Sequence, residues 1–172
     1  MGKVVGNKSA ARQFAFQFLM TLNYPHNQEL LLQLQVNEVS DQQLTATVEQ
    51  FAESFTLSGE LAPIPIEVKK QALEMIHGVV SNIQNIEQLI EQRITKRNLS
   101  AINSIDLAIL RLGIYELQFC PQQSPMAVII NEAIILSKTF GGQESAPFIN
   151  GVLDKVAHQQ NDIPANDKLT NE

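Results

Sequence analysis

Ile105-Asp-Leu-Ala-Ile-Leu-Arg-Leu-Gly-Ile-Tyr-Glu-Leu117 is the stretch that decides the fold of this 172-residue chain. Set out at about 100° per residue, its Ile and Leu side chains point in every direction, interrupted mainly by Asp106, Arg111 and Glu116. A helix apolar all round is buried by several neighbours, so this one belongs at the centre of an all-helical domain. The next run, 124–140, carries Ile129, Ile130, Ala133, Ile134, Leu136 and Phe140 on a wide face and is expected to share that central position. A third, 145–158, is amphipathic, with Ile149, Val152, Leu153 and Val156 inward. Ser104, Ser124 and Ser145 stand where a side-chain oxygen can accept from the free N–H groups of a first turn. Pro121 and Gly141-Gly142 stop the first two helices.

Outward from this core the pattern stays helical. Over 9–23 the stripe is Ala11, Phe14, Ala15, Phe18, Leu19 and Leu22, while Phe16 and Met20 fall off it. Side chains so placed either cover a neighbouring loop or meet a partner. Helices follow over 27–36 and, capped by Ser40 or Asp41, over 42–55. A long helix from Ile66 bends or restarts at Ser81-Asn82 before a bridge at 98–103. No strand pattern competes, which makes the chain an all-α compact bundle of about seven helices. Residues 1–8 are expected to be a mobile arm, 9–160 one domain, and 161–172 a flexible tail.

A 44% apolar content excludes wholesale disorder, and no apolar run approaches the ~20 residues that cross a bilayer. A cytoplasmic protein with no membrane partner is the expectation. The net charge of −6 argues against an indiscriminate nucleic-acid binder, but it hides a gradient. Residues 1–24 carry Lys3, Lys8 and Arg12 with no acid, whereas 25–92 set ten acids against Lys69 and Lys70. A polyanion would therefore meet the N-terminal helix first, joined by Arg93, Lys96 and Arg97 unless these serve only as the cations that suit a helix C-terminus.

Enzymatic constellations are hard to assemble from these residues. His26, His77 and His158 fit no metal-ligand spacing, and Cys120 has no second thiol. Gly141-Gly142 lacks the Lys and Ser/Thr of a phosphate loop. Neither a cofactor, a metal nor an enzymatic activity is expected. Arg111 is a cation inside an apolar helix, and it needs a carboxylate from the following helices, with Glu132 as the expected partner in a structural ion pair.

Three motifs together carry a family resemblance: the opening stretch, then Val128-Ile-Ile-Asn-Glu-Ala-Ile-Ile-Leu-Ser-Lys-Thr-Phe-Gly141, then Phe148-Ile-Asn-Gly-Val-Leu-Asp-Lys-Val-Ala157. In this order and spacing they resemble the C-terminal half of the NusB family of bacterial transcription antitermination factors, with a fainter likeness at Ala11-Arg-Gln-Phe-Ala-Phe-Gln-Phe-Leu19. The stretch 25–65 looks longer than the family usually has. The resemblance implies two small helical subdomains, here about 9–82 and 83–160. It also implies a partner, NusE, the free form of a small-subunit ribosomal protein. With NusE, the chain would bind boxA-type single-stranded RNA within the RNA polymerase antitermination complex, chiefly in ribosomal RNA operons.

By position, the implied RNA contacts are Lys8 and Arg12, with Lys3 in the same basic arm, together with Glu144, Phe148 and Asn150. Lys155 joins them because it lies two turns beyond Phe148 and can present a cation beside the ring. Phe16, Glu116 and Asn131 are the candidate partner contacts. Two departures weaken the RNA side: Lys8-Ser-Ala-Ala-Arg12 stands where the family often has a run of arginines, and Pro147 stands where it commonly has a basic residue. The alternative reading is therefore a protein-only interaction module that keeps the fold and binds little RNA. A third, the targeting region of an RNA cytosine methyltransferase, lacks any cofactor-binding βα pattern.

Overall fold

The apolar run of the last third becomes the helix on which everything else packs. A computed structural model describes residues 7–36, 40–55, 63–95, 98–120 and 122–158. They form α1 (Asn7–Thr21), α2 (Gln28–Gln35), α3 (Asp41–Ser54), α4 (Ile66–Ser81), α5 (Ile83–Arg93), α6 (Ser104–Phe119), α7 (Met126–Phe140) and α8 (Ser145–His158), with no strand among the described residues. Residues 1–6, most of the expected arm, and the expected tail at 161–172 lie outside the described residues, as do Lys3, Lys96 and Arg97. Lys8 is not part of an arm: α1 begins ahead of it.

Helix α6 touches α1, α4, α5, α7 and α8. That enclosure is why Leu107, Ile109, Leu110, Leu112 and Ile114 are all buried, each contributing about 1.5–3 kcal/mol relative to exposure. Helix α7 is different. It packs against α6 and α8 through Ile129, Ala133 and Leu136, but Val128 and Ile135 remain 43% and 47% exposed. The expected central position of α7 is thus corrected: its apolar surface exceeds what its neighbours cover.

Helix starts also differ in detail. Asn103, not Ser104, caps α6, accepting from the Asp106 N–H at 2.9 Å. Ser124 caps nothing and instead accepts from Arg12, while the Ser145 hydroxyl accepts from the Gly142 N–H in the preceding turn. Ser40 does cap α3. The long helix restarts at Asn82, whose amide donates back to the Gly78 carbonyl at 2.8 Å. Gly78 lets α4 lie against Tyr115 of α6, since a Cβ there would overlap the tip of the Tyr115 ring. No helix among the described residues is long and apolar enough to cross a membrane.

Candidate nucleic-acid interface

The chain's cations divide into those the fold consumes and those it presents. Helix α1 is covered on nearly every side, so Arg12, facing away from the main stripe, still lies inside, 3% exposed. Its Nε donates to both Glu116 carboxylate oxygens at 3.0 and 2.9 Å, and Nη2 donates to Glu116 Oε1 at 2.9 Å and to Ser124 Oγ at 3.0 Å. Glu132 approaches Arg12 Nη1 at 3.9 Å. This corrects three expectations at once. Arg12 is not an outward cation, Glu116 is not an exposed partner contact, and Glu132 faces Arg12 rather than Arg111.

Arg111 finds its carboxylate on the preceding helix instead. Its Nη2 and Nε donate to Glu87 Oε1 at 2.6 and 3.1 Å, and Nη1 donates to Asn23 Oδ1 at 3.2 Å. Burial lowers the Arg111 pKa from its ordinary value, and Glu87 opposes that shift. Sequence periodicity missed Glu87 because α5 reads as an ordinary amphipathic helix, and only its packing on α6 brings this side chain to Arg111. Phe16 is also enclosed, its ring 5.0 Å from that of Phe140, so it covers a neighbouring helix and is not offered to a partner.

Of the residues expected to meet RNA, Glu144, just ahead of α8, and Phe148 and Lys155 within it share one side. Glu144, Phe148 and Lys155 fall within about 60° of one another around the helix, whereas Asn150 points the other way. Phe148 is half-buried against the core and shares a groove of about 320 Å³ with Arg93, Ile94, Pro147, Val152 and Lys155. Lys155 is exposed, and its Nζ donates to the Arg93 carbonyl at 3.3 Å, which ties α8 to the end of α5. On its other flank, Phe148 lines a second cavity with Glu144, Asn103 and Asp106. Asn150 lies toward α7, beside Ile134 and Lys138, and does not join this face.

Lys8 sits elsewhere. Its Nζ donates to the Gln123 carbonyl at 2.8 Å, close to the end of α6 that holds Glu116, while Phe148 adjoins the end that holds Asp106. Ten residues of helix separate those acids, roughly 15 Å. The structure therefore brings Glu144, Phe148 and Lys155 together, adds Arg93, and leaves Lys8 at the opposite end of α6. Asn131 is exposed on the outer side of α7, on one line with Val128 and Ile135.

A sequence model of the NusB family matches residues 9–158. Over 132 residues the chain is 37% identical to the transcription antitermination protein NusB of Geobacter sp. (strain M21), covering 75% of this chain and 90% of that one. With the transcription antitermination protein NusB of Campylobacter fetus subsp. fetus (strain 82-40), identity is 33% over 138 residues, covering 80% and 98%. Among solved structures, T. maritima NusB matches with a TM-score of 0.66 at 25% identity, covering 88% of this chain and 91% of that one.

Proposed function

This chain belongs to the NusB family of transcription antitermination proteins, and from that premise we propose that it binds boxA-type single-stranded RNA together with NusE and supports read-through by RNA polymerase, chiefly in ribosomal RNA operons. It does so as a binding factor, without catalysis. The observation that carries this reading is the groove in which Phe148 lies beside Arg93 and Lys155. Unpaired bases stack on aromatic faces at ~1–3 kcal/mol each, and cations alongside hold the phosphates that set position. Lys8, with Lys3 ahead of it, offers a second backbone contact farther along the strand.

Helix α7 supplies the partner side of the proposal. Val128, Asn131 and Ile135 form an uncovered line of mixed character, the kind of surface a second protein covers. One observation favours the second reading, a protein-only interaction module. Arg12, the strongest basic residue of α1, is spent on Glu116, which leaves few cations for a polyanion. With few phosphates neutralised, the chain alone binds RNA weakly and the NusE complex binds well.

Filter binding of boxA-like RNA and a scrambled control, with and without NusE, tests this. Tight, sequence-selective binding only with NusE supports the proposal. Equal affinity with and without NusE removes the dependence, and no selective binding in either case favours the protein-only module.

A further inference from the structure

Two cations line the groove between α5 and α8, and neither meets an acid. Arg93 Nη1 donates to the side-chain oxygen of its neighbour Gln92 at 3.2 Å, and Lys155 Nζ donates to the Arg93 carbonyl at 3.3 Å. Among the described residues no carboxylate forms an ion pair with either. Thr95 also lines the groove, and Lys96 and Arg97 follow it in sequence. The floor is open as well: Gly151 stands between Phe148 and Lys155 on the same side of α8, and a Cβ there would meet nothing within 4 Å. Ile94 and Pro147 supply apolar walls.

The chain carries an anion close to this groove. After His158, where α8 ends, residues 159–172 bring Asp162, Asp167 and Glu172 against the single base Lys168. Lys155 lies one turn before that end, and Phe148 about 15 Å before it along the helix. A segment that spends residues 159–161 in reversing direction still has 162–172 to extend, up to about 36 Å. Its reach is therefore more than twice the length of the groove. Directly after Asp162 comes Ile163-Pro164, an apolar pair that suits walls of Ile94, Pro147 and Phe148.

Resting on the RNA reading above, we propose that residues 159–172 double back along α8 and occupy this groove, Asp162 toward Lys155 and Ile163-Pro164 over the apolar walls, so that RNA binds by displacing them. Tethering gives such a segment an effective concentration in the millimolar range, enough for a weak contact to hold the site. The measured RNA affinity is then the intrinsic one reduced by the fraction of molecules whose groove is open. Because the contact is partly electrostatic, salt releases it.

The test compares the full chain with a variant carrying Asp162→Asn, Asp167→Asn and Glu172→Gln, each with NusE, by fluorescence anisotropy of a labelled boxA-type RNA at low and high salt. The variant should bind about three- to tenfold more tightly at low salt, and the difference should shrink as salt rises. A control with Glu29→Gln, Glu53→Gln and Glu67→Gln removes the same charge from exposed positions on α2, α3 and α4 and should stay near wild type. Equal tightening in that control would reduce the effect to net charge and overturn the proposal. A second readout needs no RNA: in the free full chain, nuclear Overhauser contacts should join the Ile163 methyl groups to the Phe148 ring, and the triple variant should weaken them. Their absence overturns occupancy of the groove. Contacts present with RNA affinity unchanged in the variant overturn the competition, whereas contacts present with no RNA bound by either form uphold occupancy and overturn the RNA reading.

Discussion

Arg12 on α1 and Glu116 on α6 form a buried two-pronged ion pair, with Nε and Nη2 both within 3.0 Å of the carboxylate. The pair joins the first helix to the central one across 104 residues of chain. Removing one member strands the other charge in the interior, which costs about 3–5 kcal/mol. Arg12→Met should therefore lower the melting temperature by roughly 10 °C, and Arg12→Met with Glu116→Leu should regain much of the loss. The same variant separates structure from binding. Below its melting transition, the salt dependence of RNA binding should match wild type, and a shallower slope would show that Arg12 does meet phosphate.

Arg111 and Glu87 make the corresponding link between α6 and α5. Glu87→Ala should cost about 3–5 kcal/mol in denaturant unfolding, because Arg111 keeps its charge. Glu132→Ala should cost much less, since Glu132 stands 3.9 Å from an arginine already satisfied by Glu116. A larger loss for Glu132→Ala would reverse this assignment.

The place of these arginines shows where sequence reading works and where it stops. Periodicity identified α6 as the core helix because its apolar residues cover every angle, a property of the element alone. The inward stripe of α8 was legible for the same reason. Arg12 and Phe16 were not. They lie off the stripe of α1, and only the packing of α4, α6 and the end of α7 around that helix turns its second face inward. The α7 face failed in the opposite direction, since apolar content says nothing about how many neighbours arrive. At the candidate site, Glu144 and Phe148 come from the family resemblance, and Lys155 follows from its helical spacing to Phe148 within one segment. Arg93 stood out in the charge pattern, but its place beside Phe148, like that of Asp106, depends on helix packing.

Gly78 and Tyr115 fix the distance between α4 and α6. Gly78→Ala puts a methyl group where the ring lies, and a rigid aromatic cannot yield as a flexible chain end would. A loss of about 1–3 kcal/mol is expected by denaturant unfolding, and Tyr115→Ala in the same chain should make the added methyl nearly neutral. An unchanged midpoint for Gly78→Ala alone would mean that the two helices separate freely.

Tyr115 also predicts a response to alkali. Burial raises its pKa above the ordinary value of 10.0, with the hydrogen bond to Cys120 adding to the shift. A raised folded pKa means that the fold favours the neutral phenol. That stabilisation is complete below about pH 10 and is lost as pH climbs through the folded value. Titration by phenolate absorbance should show a late step that Tyr115→Phe removes. Disappearance of no step, or of an early one, would contradict the placement of the ring.

The central claim is that one face of α8 holds the RNA through Phe148. The most direct measurement is the affinity of the NusE complex for boxA-type RNA, wild type against Phe148→Ala, across a range of salt concentrations. The account predicts a loss of about 1–3 kcal/mol, roughly 5- to 150-fold, with the salt slope unchanged because stacking and not charge has been removed. Undiminished affinity in a folded Phe148→Ala complex would contradict it.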